Sequence, residues 1–389
     1  MNRFDIAVLG AGMQGCAAGY DLALRPWARQ IRFLDASEST AQAAAARVNR
    51  LCGMGIAIGS QVDASNIGDL CRALDGTHGV LSALPYFLNP NAVEASIAVG
   101  AHFCDLGGNT DLVRSELAWG PHAAKKGVCL IPDCGLAPGL ANQLAAHLME
   151  NMDSPRRVHL RCGGLPIVPR PPMNYRLAFS VSGLVNEYLG HAAFIRGGKI
   201  VSVPTLTEDE IIELPQPLGK MEASVTSGGT SLAPWNFLGR LDEYDYKTIR
   251  YPGHFAQVRL LRDLGLLDSE TRHVDGIQIA PRSVTESLLR ERLAFPSDRD
   301  LVVLRVTCEG THRGAPAKRE AWLLDHGCET TGFTAMERTT AFPAAAVLED
   351  AVLGRIPPGA HTPEMVAFSS AYFDRLRERG LDIRQSLTP

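Results

Sequence analysis

The stretch FDIAVLGAGMQGCAAGYDLALRPWARQIRFLD, residues 4–35, contains the clearest structural signals in this chain of 389 residues. An apolar run at 6–9 predicts a short buried strand, and Gly10, Gly12 and Gly15 follow it with G-x-G-x-x-G spacing. An alanine-rich segment then predicts a helix that ends before Pro26, and a second apolar run at 31–34 leads to Asp35. This order of strand, glycine turn, helix, strand and acid is typical of a dinucleotide-binding βαβ unit. The alternative is a glycine-rich turn in another kind of α/β protein.

Each glycine of the turn has a separate predicted role in holding a dinucleotide. Gly10 permits a tight turn, Gly12 lets the backbone approach a pyrophosphate, and Gly15 lets the helix lie close to the first strand. Met13 and Gln14 begin the helix, whose free N–H groups and positive dipole end favour a bound phosphate. These five residues are therefore predicted to bind the cofactor.

Asp35 predicts that the cofactor is NAD rather than NADP. Its carboxylate can accept hydrogen bonds from an adenosine ribose and would repel a 2′-phosphate, and Ala36 and Ser37 supply no cation. Asp63 follows a third predicted strand at 56–58, where its side chain could reach the adenine edge or could equally cap a helix.

The alternation of strands and helices continues and predicts a doubly wound parallel sheet. Further strands are predicted at 79–84, 102–105 and 128–131. Helices are predicted after a Ser39 cap, at 67–74, at 90–99, and from Asp111 to the interruption at Gly120 and Pro121. Six strands in one series predict an NAD-binding Rossmann domain over 1–137. Because ligands bind at the carboxyl ends of such strands, the turn at 82–86 should lie beside the reactive half of the cofactor.

The pattern of predicted strands and helices changes after a helix that is predicted to end at Met149. Strands are predicted at 158–162, 177–181, 199–203, 222–225, 246–251, 301–309 and 318–324, and helices at 255–264 and 285–292. These predict a second α/β domain over 138–338. An alanine-rich helix at 339–353 and a last helix at 364–379 follow it.

Composition excludes several classes of function. The net charge is −4, and neither a basic excess nor a block of charge predicts binding to nucleic acid or to a membrane surface. Gly10 and Gly12 break the N-terminal apolar run too early for a signal peptide. Nine cysteines without C-x-x-C spacing predict reduced thiols and a cytoplasmic location. His312, His326 and Cys328 lack a recognisable ligand spacing, so no metal is predicted.

Two loops at the ends of consecutive predicted strands carry groups that could act chemically. They are DLGGN, 105–109, and PDCGLAPG, 132–139, which contain Asp105, Asp133 and Cys134. The two carboxylates could instead cap helices, and the thiol could be a small packed residue.

Two more loops lie in the second predicted domain. TSGGTS, 226–231, offers hydroxyl groups and free backbone N–H groups, or else only a hairpin turn. RYPGH, 250–254, offers a guanidinium suited to a carboxylate and a histidine able to titrate near neutrality. Arg250 could alternatively form a surface ion pair, and His254 could be a satisfied loop histidine.

Taken together, these motifs resemble the saccharopine dehydrogenase-like family, and most closely its lysine 6-dehydrogenase branch. The segments that carry the resemblance run from residue 6 to about 347 and are GAGMQG, SALPYFLN, DLGGNTD, IPDCGLAPGLAN, GGLP, FSVSGLVNEY, TSGGTS, YKTIRYPGH and ERTTAFPAAAV. The resemblance implies a Rossmann domain, a second domain that binds substrate and forms a homodimer or larger assembly, and a C-terminal return, over about 339–389, to the first domain. It also implies that NAD oxidises the ε-carbon of lysine, giving ammonia and a semialdehyde that cyclises to piperideine carboxylate.

The resemblance further implies roles for individual residues. Leu84 and Pro85 should lie near the nicotinamide. Asp133 or His254 should act as base, Cys134 should lie with them in the catalytic group, and Arg250 should bind the substrate carboxylate. The remaining residues implied to contact the small amino-acid or amine substrate are Tyr86, Asp105, Asn109, Tyr175, Thr226 and Ser227.

Other functions stay open from the sequence. A saccharopine- or opine-type dehydrogenase would act on a secondary amine between two amino acids, and a second arginine in its pocket, Arg170 or Arg176, would favour it. An enzyme similar to homospermidine synthase would hold NAD without net turnover. A non-enzymatic NAD-binding regulator would need no proton-handling groups in the cleft.

Overall fold

The fold is that of a computed structural model, which describes residues 3–216, 218–295 and 297–388. Its strands are β1 (Phe4–Leu9), β2 (Ala28–Asp35), β3 (Ala57–Gln61), β4 (Gly79–Ser82), β5 (His102–Asp105), β6 (Cys129–Ile131), β7 (Ser154–Pro166), β8 (His191–Arg196), β9 (Lys199–Pro204), β10 (Glu210–Leu214), β11 (Gly219–Ser224), β12 (Glu243–Arg250), β13 (Arg272–Val274), β14 (Ile277–Ile279), β15 (Asp300–His312), β16 (Ala315–Asp325), β17 (Gly359–Ala360) and β18 (Ile383–Thr388).

The helices follow the same chain order. They are α1 (Met13–Ala23), α2 (Glu38–Cys52), α3 (Ile67–Leu74), α4 (Asn89–Val99), α5 (Thr110–Leu117), α6 (Gly120–Lys126), α7 (Ala141–Glu150), α8 (Val181–Glu187), α9 (Ala233–Asn236), α10 (His254–Asp263), α11 (Pro281–Arg292), α12 (Ala335–Val352), α13 (Pro363–Val366) and α14 (Ser370–Glu378).

The N-terminal sheet is parallel and doubly wound. Its strand order is β17-β6-β5-β4-β1-β2-β3. Strands β2 and β3 are added on one side of β1 and β4 to β6 on the other, and ligands bind at this switch point in such folds. The predicted Rossmann series of six strands is confirmed. A seventh strand, β17, was not predicted because it has only two residues.

The second sheet is mixed, with the order β10-β11-β12-β7-β15-β16-β18 and with β8 and β9 attached to β12. The strand predicted at 177–181 is wrong. Those residues lead into α8, whose first turn is capped when Ser180 Oγ accepts the N–H of Gly183. The division of the chain near residue 137 stays a prediction.

Two further corrections concern helix ends. Ser37, not Ser39, caps α2, because Ser37 Oγ accepts the N–H of Thr40. The helix predicted at 364–379 is broken into α13 and α14, and the side chain of Ser369 caps the second of them. A helix's caps bind its free N–H groups, and only one of several nearby serines can lie at the right distance.

Helix α12 joins the two sheets. It begins with a capping box between Thr334 and Glu337, packs against α1 and the strands β4 and β5, and also touches β15. The Cys104 thiol of β5 donates to the carbonyl of Ala344 on this helix. The chain end then continues into β18, which pairs with β16 of the second sheet. One face of α12 therefore lies beside the cleft between the sheets.

Within the residues that the structure describes, no helix combines the length and apolarity that a membrane crossing requires.

Candidate active site

The glycine turn leaves room for a dinucleotide at the start of α1. A Cβ on Gly15 would lie 1.8 Å from Gly10 O, and a Cβ on Gly10, whose φ is +83°, would lie 2.8 Å from Ala83 O. A Cβ on Gly12 would meet no described atom within 4 Å. Two glycines thus permit close packing, while the third faces open space at a helix N-terminus, as a pyrophosphate requires.

Asp35 lies at the end of β2 and contacts the glycine turn. One of its carboxylate oxygens accepts the N–H of Ala11 at 2.8 Å, and the other accepts the N–H of Ser37 at 2.9 Å. A carboxylate offers about four lone-pair directions, so capacity remains for ribose hydroxyl groups. Asp63 is exposed, and its carboxylate accepts both the N–H and the hydroxyl of Ser65 instead of capping α3, whose cap is Asn66.

A cavity of about 270 Å³ opens beside this turn, between the two sheets. Helix α1 contributes Gln14, and α12 contributes Met336 and Thr340. The other lining residues come from the two loops predicted to act chemically, from α8 and the segment before it, and from β7 and β12 of the second sheet: Leu106, Gly107, Leu136, Ala137, Pro138, Cys162, Gly164, Tyr175, Phe179, Glu187, Tyr246, Thr248 and Arg250.

Arg250 is buried at one end of the cavity and held by the protein. Its Nε donates to the hydroxyl of Tyr188 at 3.2 Å, its Nη1 donates to Ile249 O at 3.1 Å, and its guanidinium lies 4.8 Å from the ring centre of Tyr175. Nη2 lies 3.4 Å from a carboxylate oxygen of Glu187. The side chain is therefore fixed in one orientation before any ligand arrives.

Glu187 is the acidic side chain that faces this guanidinium. About a third of its side chain, 31%, stays exposed at the cavity wall. Burial raises the pKa of Glu187 to about 7, and the charge of Arg250 opposes that rise. Burial also raises the pKa of the neighbouring Cys162 thiol to about 12, so this thiol is uncharged near neutrality.

His254 is placed behind Arg250 rather than in the cavity. Its Nδ1 donates to Met173 O at 3.0 Å, so its Nε2 accepts from the Tyr188 hydroxyl at 2.8 Å. Burial, with help from the charge of Arg250, lowers the pKa of His254 to about 3. The buried neutral ring has both nitrogens hydrogen-bonded within the protein and does not line the cavity, so this structure gives no support to the base role predicted for His254.

Asp105 and Asp133 come together in a buried acidic cluster with Glu116. Asp105 Oδ1 accepts the N–H groups of Gly107 at 2.7 Å and of Asp133 at 3.0 Å. The carboxyl of Asp133 accepts a hydrogen bond from Ser231 of the second sheet's loop. Burial and the charge of Asp105 raise the pKa of Asp133, and burial raises the pKa of Asp105. Gly107 lines the cavity and packs against this cluster, since a Cβ there would lie 2.2 Å from Asp133 Oδ1.

Cys134 does not face the cavity. Its thiol is buried and donates to Ile131 O at 3.1 Å, and burial raises its pKa well above the ordinary value. The thiolate is the reactive form of cysteine, so this environment contradicts the catalytic role predicted for Cys134.

Several predicted substrate residues have structural partners. Asn109 Oδ1 caps α5 by accepting the N–H groups of Asp111 and Leu112. Thr226 and Thr248 share a hydrogen bond of 2.6 Å between their hydroxyl groups, and of these two only Thr248 lines the cavity.

The turn after β4 lies close to the DLGGN loop. Leu84 is half-buried and Pro85 is exposed. The side chain of Tyr86 packs against Gly108 of that loop, where a Cβ would lie 3.1 Å from it. Their proximity to a nicotinamide stays a prediction. Neither arginine proposed as a second carboxylate ligand lines the cavity: Arg170 pairs with Asp298 at 3.1 Å, and Arg176 Nε donates to Phe295 O at 3.2 Å.

Sequence reasoning missed the other half of the cavity wall. Glu187 and Tyr188 end the quoted motif FSVSGLVNEY, and Met336 and Thr340 lie in or just before ERTTAFPAAAV, yet none was singled out. The signal that could have identified these residues is their position in or beside motifs that carry the resemblance to the family.

Comparisons with known proteins agree with this architecture. A family model described as "Saccharopine dehydrogenase NADP binding domain" matches residues 6–131, and one described as "Saccharopine dehydrogenase C-terminal domain" matches residues 135–381. The fold is similar to that of apo saccharopine dehydrogenase (L-Glu forming) from Saccharomyces cerevisiae, with a TM-score of 0.79, 18% identity, and coverage of 99% of this chain and 100% of that chain.

Among curated proteins, saccharopine dehydrogenase [NADP(+), L-glutamate-forming] of Saccharomyces cerevisiae is 23% identical over 238 residues, which are 56% of this chain and 50% of the relative. The mitochondrial alpha-aminoadipic semialdehyde synthase of Bos taurus is 30% identical over 132 residues, which are 32% of this chain and 14% of the relative. The aligned parts thus span half or less of these relatives. Since the two family models divide the chain between the parallel sheet with its glycine turn and the mixed sheet that supplies Arg250, this chain belongs to the saccharopine dehydrogenase family.

Proposed function

We propose that the chain is an oxidoreductase that uses NAD to deaminate the ε-amino group of lysine, giving a semialdehyde and ammonia. The observation that carries the proposal is the charge of the cavity wall. Among the described residues that line it, the cationic side chain is Arg250 and the acidic one is Glu187, and the others are uncharged. One guanidinium suits a substrate with one carboxylate better than saccharopine, which has three.

The chain's own residues provide for binding and for exclusion of water. Arg250 retains N–H groups on Nη1 and Nη2 that can hold a carboxylate in a bidentate pair. Tyr175, Phe179 and Met336 offer apolar surface to the methylene groups of the substrate. This arrangement would point the far end of a lysine toward Gln14 and the glycine turn.

Gln14 is suited to the reacting nitrogen. Its Oε1 is buried without a hydrogen-bond partner among the described residues, and its Nε2 donates to Met336 O at 3.4 Å. An unpartnered buried acceptor is costly unless a ligand satisfies it. The ε-nitrogen must arrive as a neutral amine, because an ammonium nitrogen has no lone pair, and Gln14 can accept one of its N–H groups. NAD, which the glycine turn and Asp35 would hold, would supply the acceptor for the hydride that leaves the ε-carbon, and water would then hydrolyse the iminium group of the substrate to the semialdehyde and ammonia.

The support for NAD is local. Asp35 places a carboxylate where a 2′-phosphate would lie, and residues 36–40 contain no lysine or arginine. The matching family model and the yeast relative carry NADP in their descriptions, so NAD is proposed for this chain on its own residues. A homodimeric or larger assembly and a cytoplasmic location stay predictions from the sequence.

A saccharopine-type dehydrogenase is the second candidate, and the names of the relatives favour it. As those names indicate, it would oxidise saccharopine to glutamate and a semialdehyde, or join these two in the reductive direction. The opine-type form of this candidate would instead join lysine to a keto acid reductively.

The test is a panel of amines with NAD and NADP at mildly alkaline pH, with NADH or NADPH followed at 340 nm. The panel contains lysine, ornithine, saccharopine and polyamines. Formation of NADH with lysine, accompanied by released ammonia, is the expected result. Formation with saccharopine instead, or consumption of NADH only when lysine meets a keto acid, would refute the lysine proposal in favour of the second candidate.

A further inference from the structure

The Arg250–Glu187 pair at the end of the cavity is poorly satisfied as an internal ion pair. The separation of 3.4 Å between Arg250 Nη2 and Glu187 Oε2 exceeds the roughly 2.7–2.9 Å of a charge-assisted hydrogen bond. Arg250 is held instead by Tyr188 and by the carbonyl of Ile249. Two opposite charges therefore lie side by side with hydrogen-bonding capacity that the described residues do not use.

The backbone around Glu187 fixes this arrangement. Ser227 donates its N–H to Glu187 O at 2.9 Å and its hydroxyl to Asn186 O at 2.9 Å. These two hydrogen bonds attach the TSGGTS loop to the C-terminal end of α8, from which the Glu187 side chain extends to the cavity. Because the backbone of Glu187 is held by this loop and the guanidinium of Arg250 is already oriented, a ligand that bridges the two side chains has less ordering cost to overcome.

We propose that Glu187 binds the α-ammonium group of the substrate while Arg250 binds the α-carboxylate of the same molecule. The site then selects free α-amino acids and discriminates against diamines, ω-amino acids and Nα-blocked amino acids. The inference rests on the proposed function in taking this cavity as the substrate site, and it extends that function to the class of molecule accepted.

The chemistry of an amino acid matches this geometry. Its ammonium and carboxylate groups are attached to one carbon, so their protein partners must be adjacent, as Arg250 and Glu187 are. A diamine offers no anion to Arg250, and an Nα-acyl amide offers no cation to Glu187. The same geometry argues against Glu187 as the base at the ε-carbon, because that carbon lies four bonds beyond the α-carbon, toward Gln14.

The experiment measures binding separately from turnover. Isothermal titration of the protein saturated with NADH, which cannot oxidise lysine, compares lysine with 6-aminohexanoate, the same molecule without its α-ammonium group. The variants are Glu187→Gln, Glu187→Asp, and Glu213→Gln as a matched control at an exposed glutamate of β10.

Wild-type protein and the control should prefer lysine by about tenfold to hundredfold, as expected for a hydrogen bond between charged groups. Glu187→Gln should abolish this preference and leave 6-aminohexanoate binding within about twofold, which also shows that the variant is folded. Glu187→Asp keeps the charge with a shorter reach and should retain part of the preference. Complete loss of the lysine preference in Glu187→Asp, with 6-aminohexanoate binding unchanged, would still support the pairing of Glu187 with the α-ammonium group.

Three outcomes separate the two proposals. Equal binding of lysine and 6-aminohexanoate by wild-type protein, or equal weakening of both by Glu187→Gln, would overturn the role of Glu187. A lysine preference that depends on Glu187, together with no NADH formed from NAD and lysine, would support this inference and refute the proposed reaction. Wild-type protein that binds neither compound would overturn both.

Discussion

Replacing Asp35 by asparagine should weaken the preference for NAD over NADP that we propose for this protein, and adding Ala36→Arg should reverse it. The carboxylate of Asp35 already accepts N–H groups from Ala11 and Ser37, at 2.8 and 2.9 Å. Asparagine can accept only with its carbonyl oxygen, so its amino group would face one of these two donors. The substitution therefore changes both the loop and the ribose site.

The magnitude follows from the charge that is lost. Hydrogen bonds to a charged group contribute about 1.5–3 kcal/mol, so Asp35→Asn should weaken NADH binding by about tenfold to 150-fold. The N–H left without an acceptor should lower the free energy of unfolding by about 1–3 kcal/mol. Adding Ala36→Arg supplies a guanidinium for the 2′-phosphate, so NADPH should become the tighter ligand.

The assay is titration of NADH and NADPH followed by nicotinamide fluorescence, which needs no knowledge of the amine substrate. Ala46→Arg adds the same charge at an exposed position of α2, outside residues 36–40, and serves as the control. Wild-type protein that prefers NADPH would refute the assignment of Asp35 to the ribose. A double variant with an unchanged ratio of the two affinities would refute it equally.

Three other predictions concern the substrate end of the cavity and the glycine turn. Arg250→Lys keeps a positive charge but loses the bidentate fork, so KM for lysine should rise more than tenfold; a change in kcat alone would contradict the assignment. Because the pKa of Glu187 is raised to about 7 by burial, against the charge of Arg250, lysine affinity in calorimetry should fall as pH drops through that value, whereas that of 6-aminohexanoate should not. Gly15→Ala would place a Cβ 1.8 Å from a backbone oxygen and should lower stability by about 3 kcal/mol or more. Gly12→Ala, in open space, should leave Tm unchanged and weaken NADH binding; equal Tm values for the two variants would show that the packing explanation is wrong.

The glycine turn could be predicted because it is local. Strand, turn, helix and acid lie within 32 consecutive residues, and the glycine spacing alone identifies Gly10 and Gly15 as sites of close packing and Gly12 as the site left open for a ligand. The substrate wall could not be predicted in the same way, since Gln14, Cys162, Glu187 and Met336 are brought together by elements far apart in the chain. Sequence spacing contains no information on which faces of α8 and α12 meet across the cleft.

Burial explains why two residues of the right chemical type lack the contact with the cavity that their predicted roles require. His254 begins α10 and Cys134 follows β6, as expected of site residues, but the histidine packs behind Tyr188 and the thiol turns toward Ile131 O. Both are excluded from water by side chains from distant segments. A titratable residue in a specific motif therefore predicts proximity to a site more reliably than contact with the ligand.

Asp133 is the remaining predicted base, and Asp133→Asn tests that role. Burial and the charge of Asp105 raise its pKa well above the ordinary value, and Asp133 does not line the cavity, although Gly107, which packs against its carboxyl, does. Because the folded-state pKa exceeds the unfolded one, the wild-type carboxyl stabilises the fold at acidic pH and loses that contribution as pH rises through its folded-state pKa. Asparagine does not titrate and can still accept a hydrogen bond from Ser231. In denaturant titrations, the free energy of unfolding of the variant should therefore fall less than that of wild type as the pH is raised from 5 to 9.

The kinetic test of Asp133→Asn is separate. If Asp133 stays protonated and structural, kcat for lysine oxidation should change by less than about tenfold. A fall of about 10²–10⁴-fold together with loss of the acidic limb of the pH profile would instead identify Asp133 as the base, reaching the substrate after a movement of the Gly107 loop.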